Sequence, residues 1–125
     1  MVAHLRQRVI DALAAAQDVL LATSGPAQLQ ASRLPCEART VTLYLLVPRA
    51  SDHLFNLEAT PEVVIVNREW ELRGQAQMLP RAAYPAGLKL VERAEASWSE
   101  LVEVRVVQFH QHATPTRTAE TIDVD

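Results

Sequence analysis

Apolar residues recur at two different periods along this chain, and the changes of period mark out its elements. Leu5, Val9, Ile10, Leu13 and Ala16 lie at helical spacing, with Arg6, Arg8, Asp11 and Gln17 on other faces, which predicts an amphipathic first helix over one end of the fold. The apolar run 19–23 predicts a short strand stopped by Ser24-Gly25-Pro26, and residues 29–35 return as its hairpin partner. Residues 41–47 are apolar almost throughout, with only Thr42 and Tyr44 polar, as in a central strand covered on both faces. Residues 51–59 predict a short helix that Pro61 prevents from continuing, and 63–66 a second buried strand. From Trp70 to Met78 the alternation is clean. Trp70, Leu72, Gly74, Ala76 and Met78 share one face, and Glu71, Arg73, Gln75 and Gln77 share the other, which predicts a half-buried strand.

The remainder is less regular. Residues 80–97 carry Pro85 and Gly87, then Leu88, Val91 and Ala94 at helical spacing, which predicts a loop followed by a helix. Residues 101–109 predict a strand with Val102, Val104 and Val106 inward, and the polar tail, broken by Pro115, ends in a short strand at 121–124. Hairpin-linked strands with few helices, and no regular helix–strand alternation, predict a mainly β fold: a closed antiparallel barrel with flanking helices, one domain over 1–125. Because 41–47 and 63–66 are apolar on both faces, more surface needs covering than one small subunit can manage, which predicts a homodimer.

Composition narrows the function classes. A chain of 125 residues buries roughly two thirds of its unfolded surface, enough for one core. At a net charge of -3, with arginines interspersed among Asp and Glu, there is no concentrated positive field, so we expect no nucleic-acid partner. No apolar run reaches the roughly 20 residues of a membrane helix, and Asp11, Gln17 and Asp18 interrupt the first apolar stretch before a signal-peptide core forms; a soluble cytoplasmic protein with no membrane partner is expected. Cys36 is the only cysteine, which removes intrachain disulfides and cysteine-based zinc sites; it reads as a small buried side chain. His110 and His112 fall on one face if the last strand continues, but with no further close His or Cys they carry no metal assignment. Trp70 shares its face with Leu72 and Met78 and reads as core or interface.

The polar chemistry gathers near the short helix. A strand delivering Arg49 and Ser51 to a helix start offers backbone N–H groups, a hydroxyl and a positive charge together, as a phosphate ester requires. A second reading of the same residues is structural: Ser51 caps the helix, Asp52 complements its dipole and the arginines are solvated.

The ordered set Ser51, His53, Asn56, Leu57, Pro61, the strand 63–66 and the strand 70–74 resembles the FMN-binding split barrels of the pyridoxamine 5'-phosphate oxidase-like superfamily. The resemblance implies an antiparallel split β-barrel of Greek-key type, with FMN in a groove between two subunits. It also implies that Arg33, beside Ser32 on the returning strand, reaches the flavin phosphate. The implied cofactor-binding set is Arg33, Leu34, Pro35, Arg49, Ser51, Asp52 and His53, with Arg39 a possible addition. Two departures bear on chemistry. The family often has lysine where His53 stands, and the Arg-x-His element of the oxidases is absent, Arg117 being followed by Thr118 and Ala119. No general acid or base emerges, so in a flavoenzyme of this type the cofactor carries the electron transfer. The resemblance implies an FMN-binding oxidoreductase of unassigned substrate; alternatives are a non-catalytic flavin- or haem-binding module, or a fold whose apolar groove serves only as a dimer interface.

Overall fold

A computed structural model describes residues 2–124. The first helix, α1 (Ala3–Ala14), buries Val9 and Leu13 and leaves its charged residues outside. Strand β1 (Asp18–Thr23) pairs antiparallel with β2 (Gln30–Arg39), which pairs with β3 (Thr42–Pro48). Helix α2 (Asp52–Ala59) follows, then β4 (Glu62–Val66), β5 (Trp70–Met78), the long β6 (Ser99–Gln111) and β7 (Glu120–Asp123). Neighbouring strands run β3-β2-β1-β4-β5-β6-β7, and a further ladder between β3 and β6 closes the first six into a barrel. β7 lies outside that ring, on the far end of β6. This is the mainly β, closed antiparallel fold that the sequence predicts, and no helix among the described residues is long and apolar enough to cross a membrane.

The barrel is filled by alternating inward residues. Leu21, Leu43, Leu45, Ile65, Leu72, Val102, Val104 and Phe109 are fully or almost fully buried, and each contributes about 1.5–3 kcal/mol by leaving water. Trp70 packs on Phe109 with ring centres 5.5 Å apart, so it is a core residue. The register of β5 is as predicted through Ala76, but Met78 is 38% exposed. Pairing with β4 ends at Gln75, so the last turn of β5 projects beyond its neighbour's cover.

Residues 80–98 depart from expectation. Instead of a loop and an α-helix they form three 3-10 turns, Arg81–Ala83, Lys89–Glu92 and Ala94–Trp98. The buried side chains are Leu88 and Leu90, two apart rather than three or four, a spacing no α-helix face can satisfy. Together with Leu79 they cover Tyr44, Leu46 and Leu101, so the outer apolar face of β3 is covered by the chain's own strap. Glu37 accepts the Leu90 N–H at 2.8 Å and Arg39 donates to the Ala86 carbonyl at 2.7 Å, pinning the strap to β2. The apolar faces of 41–47 therefore need no second subunit; on β4, by contrast, Val64 remains 38% exposed.

Candidate functional site

The end of β3 and the start of α2 make a tight corner. The Ser51 N–H donates to the Pro48 carbonyl at 2.9 Å, and Ser51 Oγ accepts the His53 N–H at 3.1 Å as the helix N-cap. Asp52 occupies the first turn, exposed, where its charge complements the helix dipole. The capping role of Ser51 is thus realised; its O–H remains able to donate.

His53 turns inward and is 1% exposed. Its Nδ1 lies 2.8 Å from Thr23 Oγ1 on β1, and its Nε2 lies 3.0 Å from Ser32 Oγ on β2. One turn further on, Asn56 is completely buried. Its Nδ2 donates to Thr23 Oγ1 (3.1 Å) and to the Gln28 carbonyl (2.8 Å), while its Oδ1 accepts the Ala27 N–H (2.8 Å). The two side chains thus lock α2 onto the β1–β2 hairpin through a satisfied polar network, Asn56 bonding the carbonyl of Gln28, whose φ is 68°. Burial pushes the His53 pKa below its ordinary value, against a smaller opposing pull from the Asp52 carboxylate. Thr23 was not recognised as a partner from sequence; its position at the polar end of an apolar strand was the available signal.

The arginines lie outside this network. Arg33 is exposed on the outward side of β2 and pairs with Asp18 at 2.6 Å across the hairpin. Arg49 donates through Nε to Glu100 at 3.1 Å and through Nη1 to the Ser97 carbonyl at 3.1 Å. Leu34 points into the core and Pro35 is half-buried. The structure therefore brings β2, at Ser32, against the helix entrance, at His53, while the two guanidinium groups are each engaged with a carboxylate nearby. Such exposed ion pairs are worth only about 0–1 kcal/mol each.

Cys36 is packed in the barrel core, and burial, assisted by the Asp18 and Glu37 carboxylates, pushes its thiol up to about 12, which excludes a nucleophilic role near neutrality. A groove of about 430 Å³ crosses the outer face of β4, β5 and β6, lined by Val64, Arg73, Gly74, Gln75, Val107 and Gln108. It reaches Thr60 at the far end of α2, not the Ser51 end.

No family model matches the chain, and no curated protein matches it in sequence. Solved structures do. A heme binding protein from Mycobacterium smegmatis superposes with a TM-score of 0.68 at 19% identity, covering 94% of this chain and 56% of that one. General Stress Protein 26 from Bacillus anthracis gives 0.66 at 16% identity, covering 97% and 99%. An FAD-binding protein from Mesorhizobium loti gives 0.60 at 16% identity, covering 87% and 92%. At such identities the likeness is one of fold, and the chain has the split-barrel fold of the pyridoxamine 5'-phosphate oxidase-like proteins.

Proposed function

We propose that this split barrel binds FMN, with the phosphate at the rim where β2 meets the entrance of α2, and that it works as a homodimeric flavin-dependent oxidoreductase of unassigned substrate. The observation that carries the reading is the 3.0 Å contact between His53 Nε2 and Ser32 Oγ, because it brings the backbone of β2 against the helix start at Ser51; the Arg33 side chain leaves the opposite face of the strand and swings over the rim to reach a phosphate there. The residues present fit an anion held at the surface. Arg33 and Arg49 are exposed and exchangeable, Ser51 has a hydroxyl hydrogen to give, and arginine forks match phosphate oxygens. His53 takes no direct part, since both its ring nitrogens are engaged inside the protein; its role is to hold the two halves of the rim together. Bound flavin would supply the electron transfer, leaving the protein to bind and orient.

A second reading, haem in place of flavin, is favoured by the likeness to the M. smegmatis heme binding protein. The absorption spectrum of the purified protein, with identification of whatever chromophore is released on denaturation, separates the two. Flavin bands and released FMN support the proposal, and a Soret band supports the second reading. A colourless protein whose spectrum is unchanged by added FMN or haemin overturns both.

A further inference from the structure

We propose that His110 and His112 form an exchangeable site for a first-row transition-metal ion of the zinc class, separate from the rim described above. His110 lies near the end of β6 and His112 is the first residue beyond it, and both are half-buried. Their ring centres are 5.8 Å apart. A zinc–nitrogen bond of about 2.1 Å, with roughly 1.1 Å more to the ring centre, places two imidazoles sharing one tetrahedral ion about 5.2 Å apart, close to the spacing of this pair.

Each ring is already held by its other nitrogen. His112 Nδ1 faces the Arg68 carbonyl at 3.4 Å, between β4 and β5, and a carbonyl can only accept. A proton on Nδ1 satisfies that contact and leaves the Nε2 lone pair for a metal. His110 Nδ1 lies 2.7 Å from Thr121 Oγ1 on β7, whose oxygen can accept in the same way. Outer partners of this kind fix the tautomer of metal-binding histidines, and imidazole pairs suit zinc, copper and nickel. Among the described residues no third His, Cys, Asp or Glu closes the set, so water fills the remaining positions and the ion exchanges freely.

The test is calorimetric titration of the full chain, carrying no histidine tag, with zinc chloride in a non-coordinating buffer. One ion per chain is expected. Loss of an outer partner alone weakens zinc sites roughly tenfold or more, so His110→Ala and His112→Ala should each weaken binding at least that much. His4→Ala should leave it unchanged, and melting curves confirm that the variants fold. Undiminished zinc binding in the His110→Ala, His112→Ala double variant, loss of binding in His4→Ala, or no zinc binding by the wild type overturns the proposal.

Discussion

His53 and Asn56 are the residues on which the site's shape depends. Replacing Asn56 by alanine removes three hydrogen bonds and leaves the Ala27 N–H and Gln28 carbonyl without their partner; we expect a loss of about 3 kcal/mol in urea unfolding. His53 predicts a pH effect with a definite sign. Its folded pKa lies below the ordinary 6.5, so the unfolded chain binds a proton that the folded chain refuses. The stability it supports is complete above about pH 6.5 and falls as pH drops toward the lower folded value. Urea midpoints at pH 8 and pH 5.5 should therefore fall further apart in the wild type than in His53→Ala; equal differences would contradict the assignment. His53 and Asn56, three residues apart, share a helix face. That spacing could not show that the face turns onto Thr23 and Ser32, because those partners lie 30 and 21 residues away from His53 in the chain. Ser51 as a cap was legible because capping is local.

Elements with strict periodicity were readable, and those without it were not. The alternation of β5 gave its register because each position faces either the core or water. Residues 80–98 misled because their apolar residues serve a strap pinned by Glu37 and Arg39, where side-chain spacing follows the surface of β3 rather than any helix. Gly74 marks a close approach beside the bulge in β6, where Val107 is the extra residue. A Cβ there would stand 2.6 Å from Val104 Cγ1 and 2.8 Å from the Arg105 carbonyl oxygen, and the latter, being backbone, cannot swing aside. Gly74→Ala should cost about 1–3 kcal/mol, seen as a melting temperature lower by several degrees. An unchanged melting curve would mean that β5 and β6 are less tightly apposed than the ladder indicates.

At the scale of the molecule, closure of the barrel rests on the β3–β6 ladder, joining residues more than 50 positions apart, from Thr42 with Arg105 to Pro48 with Ser99. A non-local pairing leaves no mark in sequence beyond strands apolar enough to be central, so the barrel was legible as a class and its strand order was not. The homodimer, as part of the proposed function, should show in sedimentation at micromolar concentration; its support is now the exposed Val64 on β4 and not β3, which the strap covers. A monomer would count against an intersubunit flavin site. The central claim is that Arg33 and Arg49 release their carboxylates to hold one phosphate, and fluorescence quenching of FMN at fixed salt tests it most directly. Loss of charge-assisted hydrogen bonds predicts that the Arg33→Ala, Arg49→Ala double variant binds FMN more weakly by about 2 kcal/mol or more, roughly thirtyfold in Kd. Equal affinity in the double variant and the wild type would contradict the phosphate site.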